Sequence, residues 1–261
     1  MTYINTTGLI LRETAYKESS KILTVLTETE GKLTVSARGA LRKNNKLAAA
    51  TQLLVFSEMT LASSRDRWVL TEARSVEQFI GLRTDVALLS LGSYFAELTE
   101  AAADEDSPSP ELLALCLNAL FALGEGVKTP EYIKPAFELR LMSVSGFTPL
   151  IGQCAVCGRD EPERVVLDLA GGTMRCAEHD QPGGRETGKA VLGKGALDAA
   201  RYIIGCNPKK LFSFTVGSDA LRELTAAAEE YLLAQLDRRF RTLDYYKGVQ
   251  QALSRSLVDK V

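Results

Sequence analysis

Lys21-Ile22-Leu23-Thr24-Val25-Leu26-Thr27, Glu30-Gly31-Lys32 and Leu33-Thr34-Val35-Ser36-Ala37-Arg38 form one continuous passage that decides the fold. The first run is rich in β-branched residues, which favour strands. Glu-Gly-Lys is a turn signal between two such runs. In the second run Leu33, Val35 and Ala37 alternate with Lys32, Thr34, Ser36 and Arg38. That period of two predicts a strand with an apolar face and a basic, hydroxyl-bearing face.

Working outward, Gly8-Leu9-Ile10-Leu11 predicts a strand before this hairpin. Leu53-Leu54-Val55-Phe56 and Arg67-Trp68-Val69-Leu70 predict two after it, linked by Ser63-Ser64-Arg65-Asp66. Five strands in about 80 residues, with no helical period, point to a small closed barrel of the OB-fold type.

After Gly81 the period changes. Val86, Leu89, Ser90, Ser93, Leu98 and Ala101 to Ala103 fall on helical spacing. Ser109-Pro110-Glu111 and Thr129-Pro130-Glu131 are helix starts, each a hydroxyl residue, a proline and an acid in order. Leu113, Cys116, Leu117, Leu120 and Phe121 form one expected apolar stripe, and Phe137, Leu141 and Val144 another. Helices resume at Ala196 to Ile204, at Ser218 to Leu236 and at Thr242 to Val258.

Between the helices lies Cys154-Ala155-Val156-Cys157, then Cys176-Ala177-Glu178-His179. Of 5 cysteines and 1 histidine in 261 residues, three cysteines and the histidine fall here. Two short pairs separated by a loop match a zinc knuckle, in which each pair wraps one side of a tetrahedral ion. A Cys3His set leaves no open coordination position, so the zinc is expected to be structural. His179 is thereby committed, and no imidazole remains for a Ser-His-Asp or Cys-His arrangement. Cys116, on an apolar stripe, and Cys206 read as structural. Gly183-Gly184-Arg185-Glu186-Thr187-Gly188-Lys189-Ala190 nearly satisfies the phosphate-loop pattern. Alanine stands where a magnesium-binding Ser or Thr belongs, and no buried strand precedes it. Gln181-Pro182-Gly183-Gly184 is expected to close the zinc loop.

The expected organisation is α+β and multidomain. Residues 1–80 form the OB-fold barrel, 81–150 the first part of a helical domain, 151–183 the zinc module and 184–261 the second helical part. The chain has 31 basic and 33 acidic side chains. The balance hides an asymmetry: residues 1–80 carry 11 basic and 8 acidic groups, and residues 81–150 carry 4 and 10. No apolar run approaches the roughly 20 residues of a membrane span. The N-terminus lacks signal-peptide features. Clustered thiols suit a reducing cytoplasm.

From Gly31 to Ser57 there is no acid, and the charges are Lys32, Arg38, Arg42, Lys43 and Lys46. Such a basic strand end and loop can neutralise successive phosphates. Arg12 and Lys21 extend the expected patch. Tyr16, Phe56 and Trp68 are candidates for stacking on bases, although a core position is the commoner role for each.

Several of these passages together resemble the RecO family. They are Gly8-Leu9-Ile10-Leu11-Arg12, Glu18-Ser19-Ser20-Lys21-Ile22-Leu23-Thr24-Val25-Leu26-Thr27 and Glu30-Gly31-Lys32-Leu33. Ala37-Arg38-Gly39-Ala40 continues the match. Phe137-Glu138-Leu139-Arg140-Leu141 then leads to Gly146-Phe147-Thr148-Pro149-Leu150, directly ahead of Cys154. The resemblance covers nearly the whole chain. It implies an N-terminal OB-fold and a helical domain with an inserted zinc module. It implies a non-enzymatic recombination mediator that binds single- and double-stranded DNA and anneals complementary strands. Such a protein, with RecR, helps load RecA onto DNA covered by single-strand-binding protein, whose acidic C-terminal tail it contacts. By the same resemblance the DNA surface falls on Arg12, Lys21, Lys32, Arg38, Arg42, Lys43 and Lys46. The zinc ligands fall on Cys154, Cys157, Cys176 and His179. The expected location is the cytoplasm, on the nucleoid. The alternative is a zinc-stabilised adaptor that works through protein contacts without binding DNA.

Overall fold

The computed structural model describes residues 2–43, 45–63, 67–180 and 188–258. The expected linker at Ser64 to Asp66, the loop closure at Gln181 to Gly184 and most of the phosphate-loop-like run therefore lie outside the described residues. The chain divides into two compact units, Met1–Glu125 with Phe240–Val261, and Gly126–Arg239.

The first unit begins with β1 (Tyr3–Tyr16), β2 (Ser20–Thr27), β3 (Gly31–Ala37), β4 (Phe56–Ser63) and β5 (Trp68–Glu77). They close a barrel in the order β1-β2-β3-β5-β4. All pairings are antiparallel except β3 with β5, where Val35 lies beside Trp68 and Ser36 beside Val69. This is the OB-fold order. The alternation read in the sequence sets the register. Leu33, Val35 and Ala37 are buried with Ile10, Leu23, Val25, Leu61 and Leu70, and Thr34 is exposed. Gly31 takes the left-handed turn (φ 73°) and packs against the backbone of Ser107, a place no side chain could share.

The fourth strand differs from the expectation. Leu53 to Val55 form a turn and β4 starts at Phe56. Leu54 adopts φ 61°, its N–H donates to Ile10 O at 3.0 Å, and Val55 N–H donates to Gln52 O at 3.2 Å. Leu54 and Val55 thus bury their side chains without joining the ladder.

α1 (Ile80–Arg83), α2 (Val86–Ala102) and α3 (Pro110–Gly124) follow. The Asp85 carboxylate caps α2 by accepting from Ala87 N at 2.7 Å and Leu88 N at 3.2 Å. The buried face of α2 centres on Leu91, Tyr94, Phe95 and Leu98, rather than on Val86, which is half exposed. Leu113, Cys116 and Leu120 of the expected α3 stripe are buried and Leu117 is half-buried, but Phe121 points to solvent, and Leu112, Leu115 and Ala119 are buried beside them.

The second unit holds α4 (Pro130–Val144), a three-stranded sheet, α5 (Lys194–Gly205) and α6 (Ser218–Leu236). The sheet consists of β6 (Arg164–Asp168), β7 (Met174–Cys176) and β8 (Lys189–Gly193), in the order β7-β6-β8. α6 packs on α4, α5 and β8. At its centre the Lys134 ammonium bridges the Glu138 and Glu229 carboxylates, each at 2.8 Å. Glu138 is fully buried and Lys134 nearly so. α7 (Arg241–Val258) then returns the chain to the first unit, where Phe240, Leu243 and Tyr246 are buried. The Glu97 carboxylate accepts from Thr242 N at 3.1 Å and Thr242 Oγ1 at 2.5 Å. Among the described residues, no helix is long and apolar enough to cross a membrane.

Candidate nucleic-acid interface and metal centre

A groove of about 980 Å³ opens where β3 meets β5. Its lining follows from the strand pattern: Thr34 and Ser36 are the outward residues of β3, and Arg38 is the next in that series. β5 contributes Trp68 and the residue before it contributes Arg67, while the β1–β2 hairpin contributes Tyr16 and Lys17. The Tyr16 ring is 46% exposed, and the Lys17 ammonium lies 5.3 Å from its centroid. Trp68 is half-buried, packed on the barrel core by part of its surface. No acidic side chain among the described residues lines the groove. A second concavity on the barrel, about 630 Å³, is the opposite in charge. Glu28, Glu58 and Glu72 line it with threonines, and the one cation among the described residues that line it, Arg74, is paired with Glu58 at 2.9 Å. Phosphate is favoured in the first concavity and repelled by the second.

Of the seven basic residues singled out in the sequence, Arg38 lines the groove. Arg42, Lys43 and Lys46 are exposed on the loop that follows it. Arg12, Lys21 and Lys32 do not line the groove. The Arg12 guanidinium pairs with Glu100 at 3.0 Å and donates to Thr24 Oγ1 at 3.1 Å. Lys32 Nζ donates to Glu100 O at 3.1 Å. Lys21 is buried, with its ammonium on Glu13 and on Thr51 O. These three cations are neutralised or bonded within the first unit. Phe56 pairs in register with Leu9 and Glu77, away from the groove. Sequence reading did not find Lys17 or Arg67. The signal for Arg67 was its place beside Trp68 at a strand start, whereas Lys17 needs the hairpin geometry.

The other centre lies in the second unit. Cys154 and Cys157 sit on the loop before β6, Cys176 ends β7, and His179 closes a single 3-10 turn. Their ligand atoms lie within 4.8 Å of one another, the only such cluster of metal-binding side chains among the described residues. Cys157 Sγ is 3.8 Å from Cys176 Sγ, and Cys154 Sγ is 3.7 Å from His179 Nδ1. A tetrahedron with Zn–S bonds of about 2.3 Å has S···S edges of roughly 3.8 Å. A disulfide would need about 2.05 Å. The donor set fits a structural zinc ion, with these four side chains as its ligands.

The surroundings bias the thiols in opposite directions. Cys154 Sγ accepts from Cys176 N at 3.2 Å and Val156 N at 3.4 Å. Desolvation raises the Cys154 thiol pKa, but backbone N–H groups of Cys157, Cys176 and Val156, with the His179 ring, outweigh it and bring it to about 5. Desolvation and the neighbouring thiols push Cys176 up to about 11. Outside the ligands, Arg201 of α5 donates to Ile151 O and Gly152 O at 2.8 Å and to Asp160 O at 2.5 Å. It ties both ends of the Cys154–Cys157 loop to a helix, a brace that the sequence did not announce. Cys116, fully buried, has its pKa pushed up to about 12 by desolvation and is an inert thiol.

A closed OB barrel, joined to helices that carry a Cys3His cluster, defines a class of multidomain protein with a basic groove and a module able to hold a metal ion. Comparison with known proteins narrows the class. The family described as "Recombination protein O N terminal" matches residues 1–79, and "Recombination protein O C terminal" matches residues 83–244. The chain belongs to the RecO family of DNA repair proteins. It is similar to the DNA repair protein RecO of Acetivibrio thermocellus, 30% identical over 254 residues, covering 96% of this chain and 99% of that protein. The RecO of Caldicellulosiruptor bescii is 29% identical, covering 96% of this chain and 100% of that protein. That of Symbiobacterium thermophilum is 29% identical, covering 97% and 100%.

Proposed function

We propose that this chain is a non-enzymatic recombination mediator that binds single- and double-stranded DNA through residues 1–80 and anneals complementary strands. With RecR it helps load RecA onto DNA covered by single-strand-binding protein, whose C-terminal tail it contacts. It works in the cytoplasm, on the nucleoid. The observation that carries the reading is the groove between β3 and β5, which no acidic side chain among the described residues lines. There Tyr16 and Trp68 offer ring faces beside Lys17, Arg38 and Arg67, the combination that binds unpaired strands. Arg42, Lys43 and Lys46 extend the charge along the backbone path. Arg12 and Lys32 tie the barrel to α2 at Glu100, and Lys21 pairs with Glu13 within the β1–β2 hairpin, so all three support that surface. The Cys3His set occupies all four tetrahedral positions, so the ion it suits is structural and takes no substrate.

Phosphate contacts confer little sequence preference, as annealing of any complementary pair requires. Six contacts would give a log–log salt slope of about −4 for single strands, at roughly −0.7 per contact. The triple variant Arg38→Ala, Arg42→Ala, Lys43→Ala should flatten it to about −2. Binding and slope both unchanged in a folded triple variant would sink the assignment.

A further inference from the structure

We propose that Asn45 is the positioning residue that sets the basic loop after β3 into one shape before any DNA arrives. This rests on the reading of the groove and loop as the DNA surface. A loop carrying four cations would ordinarily lose much of its electrostatic gain to ordering, because each residue fixed on binding costs conformational entropy.

Here the ordering is built in, and one uncharged side chain organises it. Asn45 Nδ2 donates to Gly39 O at 2.5 Å, and Asn45 Oδ1 accepts from Leu47 N at 2.8 Å. Asn45 N donates to Arg42 O at 3.2 Å, and Arg42 N donates to Gly39 O at 2.9 Å. A single residue therefore clasps positions 39, 42 and 47. The loop is also tied to the β1–β2 hairpin, beside Lys17, by Leu41 N donating to Ser19 O at 2.9 Å. Gly39 N donates to Ser20 Oγ at 3.3 Å. Gly39 has φ 70°, and a Cβ there would lie 3.3 Å from Asn45 Nδ2 and 3.5 Å from Arg42 Cδ. The Arg42 stem and the Asn45 amide thus both lie close to Gly39. Arg38 at the groove and Arg42 on the loop are held in one fixed relation, and Asn45 itself carries no charge to give a phosphate.

That neutrality makes the role separable. In the full-length chain, Asn45→Ala should weaken binding of an oligothymidine strand about three- to tenfold, the size of one or two lost hydrogen bonds. The salt slope should stay at the wild-type value, because no phosphate contact is removed. Thermal melting should remain that of the wild type. Gly39→Ala strains the same loop without altering its charge and should show the same affinity loss at an unchanged salt slope, with a lowered melting temperature, which covers the case in which Asn45→Ala folds poorly. Wild-type affinity in the folded variants overturns the inference. So does an affinity loss accompanied by a slope change of about 0.7, the mark of a lost charge contact. If the Arg38/Arg42/Lys43 triple variant loses binding while Asn45→Ala does not, only the clasp fails. If the triple variant binds as wild type, the DNA reading fails with it.

Discussion

The barrel and the knuckle hold their shapes by opposite means. In the barrel, five strands pair through backbone groups all the way round, and the apolar alternate residues fill the inside. The outward side chains are then free to face a partner. In the knuckle, β7 contributes three residues to its sheet, and four side chains converge until their ligand atoms lie within 4.8 Å. There the reactive side chains are themselves the structure, so none is left for chemistry. Where backbone hydrogen bonds carry the fold, side chains can serve recognition. Where side chains carry the fold, they cannot.

Removing metal tests this contrast with the largest effect. A structural zinc site is worth on the order of 10 kcal/mol in small modules. Chelator, or Cys154→Ser, should therefore unfold the knuckle and lower the melting temperature. Affinity for single-stranded DNA should hold within about twofold. Calorimetry and a binding titration on one sample would check both, and a parallel loss of binding would break the contrast.

A smaller effect is expected inside the second unit. Lys134→Met leaves the buried Glu138 carboxylate and the partly buried Glu229 carboxylate without their cation, and should cost about 3–5 kcal/mol in denaturant unfolding. Burial alone would lower the Lys134 pKa, but Glu138 and Glu229 together raise it above its ordinary 10.5. The sign follows from linkage. The stabilisation is complete below the ordinary value and is lost as pH climbs through the raised one. Wild-type stability should fall in that alkaline window more steeply than that of Lys134→Met.

The smallest effect belongs to the groove. Tyr16→Ala removes a half-exposed ring and should weaken single-strand binding by about 1–2 kcal/mol, with duplex binding and melting unchanged. Equal losses on both forms of DNA would transfer Tyr16 from base stacking to simple support of the hairpin.

Much of this was legible in the sequence because it is local. The alternation from Leu33 to Ala37 gave the register of β3, and the Cys-x-x-Cys and Cys-x-x-His spacings foretold the cluster. What was not legible depends on long-range partners. The run Leu53 to Val55 looks like a strand, yet Leu54 is held in a left-handed turn by Ile10 O, forty-odd residues away. The contacts that Arg12 and Lys32 make with Glu100, some 70 to 90 residues on, leave no mark in the local pattern. Phe121 fits a helical stripe by spacing, but the buried sector of α3 is rotated away from it. Val165 to Asp168 was visible as an apolar run, but its two short partner strands carry too little pattern to find.

α7 has a consequence of another kind. The strands and helices of the first unit are made early, but Phe240, Leu243 and Tyr246 reach it only after the whole of Gly126–Arg239 has been synthesised. On the ribosome, Tyr94 and Phe95 must wait for their last neighbours while a second domain emerges. A folded insert shortens the tether that α7 must close, and an unfolded one lengthens it, at about 0.6 kcal/mol per doubling. A folded second unit thus helps the first to finish, through nothing more than the length of chain between its two pieces.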